Sequence, residues 1–191
     1  SKAIRDKAEI VVDHFLEQVV GQNKIGGQAR AMVVTGSIQR AIQYFFAFRA
    51  YLTQLKSPYQ AIVAFSGEPE YNGEKVSEAK LNGFPSNDIA DRIQEDPYRF
   101  LICADKFQTG YDEPLLHTMY VDKPLSGLAT VQTLSRLNRI HPLKTDTFVL
   151  DFRNEAEDIQ KAFEPYYGKT IAPATDPNLL FSNIRSTDRE I

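Results

Sequence analysis

Gln132, Arg136 and Arg139 stand at i, i+4 and i+7 in the segment Gln-Thr-Leu-Ser-Arg-Leu-Asn-Arg. On a helix that spacing puts all three on one face, with Leu128, Val131 and Leu134 turned toward a sheet. Two planar guanidinium groups one turn apart, with an amide behind them, form a multi-donor clamp. Such a clamp suits phosphoryl oxygens and the charge that builds on them during transfer. A solvated basic face paired with Asp105 or Asp112 has the same pattern. A second constellation is Thr35-Gly36-Ser37 with Arg40 one turn on. Helix-start N–H groups, hydroxyls and a guanidinium make an anion site suited to a nucleic-acid or nucleotide phosphate; a plain Ser N-cap beside a surface Arg reads the same way. The third is the run Asp105 to Pro114, in which Gly110 permits close backbone approach and Asp112 can accept from a ribose hydroxyl or orient an arginine. A polar turn has that composition too. Asp112-Glu113 is not the acidic pair of a magnesium site, because Gln-Thr-Gly-Tyr precedes it and not an apolar strand.

Two weaker patterns are set aside. Glu70, Glu78 and Lys80 imitate the acid/acid/Lys order of a metal-dependent nuclease but sit in a polar connection. The three histidines, His14, His117 and His141, lack metal-ligand spacing, so no metal site is expected.

The elements that must hold these residues follow from the apolar pattern. Continuous runs at 31–34, 61–65, 100–104, 118–121 and 148–150 read as strands buried on both faces. Helical stretches are predicted at about 37–56, 86–95, 127–140 and 154–165, with Ser37, Ser86 and Asn154 as N-caps. An amphipathic helix over the first twenty residues packs on the domain or leads in from a preceding one. The alternation implies a layered α/β fold with a mainly parallel central sheet flanked by helices, working at the carboxyl ends of its strands.

Composition is ordinary: 42% hydrophobic, 25% charged, net charge −3 over 191 residues, which excludes a disordered or fibrous chain. The charge is uneven, +4 over residues 1–60 and −6 over 61–130. A stand-alone nucleic-acid binder would be strongly basic. No apolar run reaches the length of a membrane span. One cysteine, Cys103, permits no internal disulfide and suits a reducing cytoplasm. A start without initiator Met reads as a cut from a longer chain.

In order, strand–TGS–helix, strand–FQTGYD, strand, then QxxxRxxR on a helix resembles the second RecA-like (P-loop NTPase-type, three-layer) domain of superfamily two helicases and translocases. KFQTGYDEPLLHTMYVDK (106–123) and VQTLSRLNRIHPLKTDTFVLDF (131–152) are similar to the motor region of the restriction (R) subunit of type I restriction–modification enzymes. That resemblance implies a RecA-like domain at 29–165, with an N-terminal helix and linker at 1–28 and a tail or linker at 166–191. It implies a cytoplasmic ATP-driven double-stranded DNA translocase and endonuclease, working with methylation and specificity subunits. ATP and Mg would be held mainly by a first RecA-like domain of the same parent. Arg136 and Arg139 would approach the γ-phosphate, Gln132, Gly110 and Asp112 would line the ATP, and Thr35, Ser37, Arg40 and Thr109 would hold the DNA backbone. No phosphate loop, magnesium carboxylates or credible nuclease centre is present, so the chain alone is expected not to hydrolyse ATP. Ser135 and Asn138 stand where many members have Gly. Another DNA translocase or repair helicase, or a non-catalytic α/β protein-binding module, are the alternatives.

Overall fold

Apolar runs without polar alternation have nowhere to go but between two helical layers, and here they form one sheet. The computed structural model describes residues 1–107 and 111–171. Its strands are β1 (Arg30–Thr35), β2 (Gln60–Ala64), the short hairpin β3 (Glu70–Tyr71) and β4 (Glu74–Lys75), β5 (Tyr98–Cys103), β6 (Leu116–Asp122) and β7 (Phe148–Asp151). The helices are α1 (Lys2–His14), α2 (Ile38–Gln54), α3 (Glu78–Asn82), α4 (Ile89–Arg92), α5 (Gly127–Leu134) and α6 (Ala156–Ile171). The five long strands pair only in parallel, in the order β2-β5-β1-β6-β7.

Each strand sends alternate side chains to opposite faces. Ala31, Val33, Phe100, Ile102 and Tyr120 pack with Ala8, Val12 and Phe15 of the α1 region and Tyr44 and Phe48 of α2. Met32, Val34, Leu101, Cys103, Met119 and Val121 pack with Ile89 of α4, Leu134 of α5, Leu137 and Ile159 of α6. The result is a three-layer α/β architecture, the fold class expected. The first helix is therefore part of the core, with Ile4, Ala8, Val11 and Val12 all buried.

Several elements depart from their predicted limits. The stretch 86–95 is a 3-10 turn (Ser86–Asp88) followed by the single turn of α4. α5 stops at Leu134, and a 3-10 turn (Ser135–Asn138) leads into an extended Arg139. Leu128 is 52% exposed; Leu134 faces inward as expected, joined by Thr130 and Thr133. α6 continues through Pro165 to Ile171. Asn154 does not cap α6. Its amide accepts from the Leu125 N–H (2.8 Å) and donates to the Lys123 carbonyl (2.9 Å), tying the loop before α5 to the loop before α6.

The exposed edge of β2 is closed by side chains. Asn82 accepts the Val63 N–H (2.9 Å) and donates to the Val63 carbonyl (2.8 Å), and Glu78 accepts the Phe65 N–H (2.7 Å). An edge strand that would otherwise offer a row of free donors and acceptors is thus masked.

Candidate functional site: a clamp and an anion seat at opposite ends of the sheet

The carboxyl ends of β1 and β6 lie side by side, with Thr35 opposite Asp122. Thr35 is fully enclosed, and its hydroxyl lies 3.0 Å from the Cys103 carbonyl and 3.1 Å from that of Ser37. Ser37 is the N-cap of α2: its extended backbone turns the hydroxyl back to accept the Arg40 N–H at 3.2 Å. Arg40 then reaches Asp122 at 3.2 Å. Asp122 is only 1% exposed and is surrounded by donors. Lys7 of α1 stands at 3.2 Å, the Tyr44 hydroxyl at 2.6 Å and Arg153 at 3.9 Å. Burial by itself would raise this carboxyl's pKa; the Tyr44 hydrogen bond with Lys7 and Arg40 outweighs burial and holds it below the usual range.

The arginine clamp lies elsewhere. The segment after β5 crosses to the amino-terminal end of the sheet, where the Leu115 carbonyl accepts the N–H of Arg30, the first residue of β1, at 2.8 Å. Just before that crossing ends, Asp112 pairs with Arg139 at 2.6 Å, and the Tyr111 carbonyl accepts from Arg136 Nη1 at 3.1 Å. Arg136 Nε also donates to the Gln132 carbonyl at 3.1 Å. The chain after Arg139 stays at this end: Asp146 pairs with Lys24 and accepts from His117, near the start of β6. The sequence places all of the chemistry at the carboxyl ends; the structure puts the clamp at the other end. The physical reason is the direction of α5, which starts at the carboxyl end of β6 and delivers Arg136 and Arg139 at its far terminus.

Both arginines remain partly open. Arg139 and Asp112 are 41% and 67% exposed, so their pair is one that water screens. The contact is close but off-axis, and the buried Arg139 Nε has no aligned hydrogen-bond acceptor. Gln132 is exposed on α5. Lys144, which the sequence did not single out, donates to the Leu137 carbonyl (2.9 Å) and the Arg139 carbonyl (2.8 Å), pinning the turn that carries Arg139. Burial lowers the pKa of that ammonium to about 8.

Asp112, Arg136 and Arg139 are thus brought together, as are Ser37 and Arg40, but the two groups are separate. Thr109 and Gly110 lie outside the described residues. The nuclease-like pattern does not assemble: Glu70 and Lys80 are exposed, while Glu78 is buried against the Phe65 N–H and Lys106. Among the described residues no group of three His, Cys, Asp or Glu is placed to hold a metal ion, and no helix is long and apolar enough to cross a membrane.

Residues 71–154 match the family described as type I restriction enzyme subunit R domain 3. The chain resembles the R subunit of type I restriction enzymes. It is 26% identical over 158 residues to the putative type I restriction enzyme MjaIXP endonuclease subunit of Methanocaldococcus jannaschii, covering 82% of this chain and 14% of that protein. It is 32% identical over 78 residues to the type I restriction enzyme HindI endonuclease subunit of Haemophilus influenzae, covering 39% of this chain and 7% of that protein. The C-terminal part of the Fun30 ATPase domain superposes with a TM-score of 0.48 at 12% identity, over 96% of this chain and 54% of that one. Within this R-subunit-like chain, Asp112, Gln132, Arg136 and Arg139 fall inside the matched segment, whereas Ser37 and Arg40 fall outside it.

Proposed function

We propose that this chain is the second RecA-like lobe of a type I restriction motor subunit, supplying the arginine half of a composite ATP site and backbone contacts for double-stranded DNA translocation. The observation that carries the reading is the state of the clamp. Two guanidinium groups share one short segment, neither is sealed, and among the described residues the carboxylate paired with them is the exposed Asp112. An exposed pair is worth about 0–1 kcal/mol, so Asp112 can be exchanged for a more highly charged partner at little cost. A triphosphate fits these donors, because planar guanidinium forks match phosphoryl oxygens. Magnesium does not fit, since no carboxylate cluster is gathered among the described residues, and no step here passes through it.

In this reading ATP, bound mainly by another lobe, supplies the phosphoryl group. Asp112 parks Arg139 until the lobes close. Lys144 keeps the Arg139 backbone in place, and the Tyr111 carbonyl orients Arg136. Ser37 and Arg40 take a DNA phosphate at the opposite end of the sheet, with Thr35 bracing the loop. The eight residues of α5 and the four of the 3-10 turn connect the two ends. At helical rises they form a rod of about 20 Å. Asn154 fixes the start of that rod and Lys144 its end. Membership of a complex with methylation and specificity subunits, and the cutting of DNA, belong to the parent in this proposal.

The test is made in the full-length parent. Arg136→Ala and Arg139→Ala should each lower ATP turnover by about 10³–10⁵, with nucleotide binding retained. Turnover within a few-fold of wild type in the Arg139 variant would remove the assignment.

A further inference from the structure

We propose that Lys7, Arg40 and Arg153, gathered on Asp122 beside the start of α2, form a seat for one phosphodiester group of duplex DNA. The inference rests on the DNA reading above and extends it to two residues on elements that reading does not use, α1 and the loop after β7.

Three cations converge on one buried carboxylate. Asp151 closes the neighbouring strand β7. Its Oδ1 accepts the backbone N–H groups of Arg153 (2.8 Å) and Asn154 (3.0 Å), and the Asn154 amide donates to Oδ2 at 2.9 Å. Counting Asp151, cations still outnumber acids three to two. The donors are also incompletely used. Arg40 Nε is buried and has no hydrogen-bond partner among the described residues. Arg153 Nη1 stands 3.9 Å from Asp122, beyond the ~2.7–2.9 Å of a charge-assisted hydrogen bond. Both arginine side chains are partly exposed, 37% for Arg40 and 40% for Arg153, while Lys7 is 13% exposed and stands over the Phe152 ring. The 17-residue α2 begins here with an N-cap Ser37 and directs the positive end of its dipole at the same spot. Asp122 thus acts as a template: it holds the cations at fixed positions, so that an arriving phosphate meets an ordered site.

The ligand chemistry is a phosphate oxyanion, whose source is a nucleic-acid backbone or a free phosphate. The partly exposed arginine side chains favour a backbone passing over the surface. The test measures binding of a fluorescein-labelled duplex to this chain by anisotropy across a salt series. Arg153→Gln and Lys7→Met each remove one charge, and Met keeps the packing on Phe152. Lys56→Gln removes one charge from an exposed turn between α2 and β2, at the other end of the sheet. The two seat variants should each weaken binding several-fold and flatten the plot of log affinity against log salt by about 0.9, one phosphate contact; Lys56→Gln should leave the slope unchanged. Slopes in Arg153→Gln and Lys7→Met equal to that of Lys56→Gln overturn the seat and leave the DNA reading standing. No duplex binding by wild type at low salt overturns both. Full displacement of the duplex by equimolar inorganic phosphate overturns the backbone assignment.

Discussion

Replacing Asp122 with alanine isolates the energetics of the anion seat's template. The side chain is 1% exposed and receives the Tyr44 hydroxyl, Lys7 and Arg40 within 3.2 Å. Arg40 and Arg153 are open enough to find water, so they contribute little to the loss. Tyr44 is fully buried and Lys7 is 13% exposed, and among the described residues Asp122 is the acceptor for both. An orphaned buried hydroxyl costs about 1–3 kcal/mol, and breaking a buried ion pair from one side about 3–5 kcal/mol in all. Against a total stability of about 5–15 kcal/mol that is a large share, and it shifts the melting temperature by roughly 6–20 °C. Urea unfolding followed by circular dichroism reads the difference directly. Tyr44→Phe removes the orphan, so the double variant should lose about 1–3 kcal/mol less than the sum of the two single changes. The pH dependence has a definite sign. The folded carboxyl is held below its unfolded value, so its contribution is complete above the ordinary carboxylate range and disappears as pH falls through the folded value. Asp122→Ala should flatten that acid limb. A loss under about 1 kcal/mol at unchanged m-value would refute the template argument.

Two further outcomes follow from groups the function does not use. His14 Nδ1 and the Tyr120 hydroxyl share a hydrogen bond at 2.6 Å, and the imidazole stacks on Phe148; burial first, then the charge of His117, lowers its pKa to about 4. The unfolded chain takes that proton near 6.5 and the folded chain only near 4, so stability should fall by ~2 kcal/mol, allowing for partial exposure, as pH drops through that window. His14→Gln keeps an acceptor for Tyr120 and should remove this slope; urea midpoints that still fall equally over the same window would exclude His14 as its source. Asn82→Ala uncovers the N–H and carbonyl of Val63 on edge strand β2, and should cost about 1–3 kcal/mol and produce concentration-dependent association in light scattering. A monodisperse variant of wild-type stability would show that the edge needs no mask.

The strands were legible because an uninterrupted apolar run bounded by turn residues has one stable place, the middle of a three-layer fold. Ser37 as the cap of α2 was legible for the same local reason, since a hydroxyl three residues before Arg40 answers an orphan N–H. What escaped depends on distance along the chain. Asp122 meets Lys7, Arg40 and Tyr44 across 115, 82 and 78 residues, and its one local signal is a carboxylate closing an apolar strand. The end of α5 escaped because periodicity carries the helix on through Arg139, while Lys144, five residues beyond, takes the Arg139 carbonyl and holds the turn open.

The same limit explains the misplaced clamp. The rule that α/β sheets work at their carboxyl ends rests on helix starts, where N–H groups are free. Arg136 and Arg139 sit at a helix finish, and what positions them there is carbonyls and a carboxylate: Tyr111, Gln132 and Asp112. A site built on a helix finish faces the other way from one built on a helix start. On the proposed reading, one α5 rod has the phosphate seat beside its beginning and the arginine pair at its end, and a shift of the rod along its axis would be felt at both.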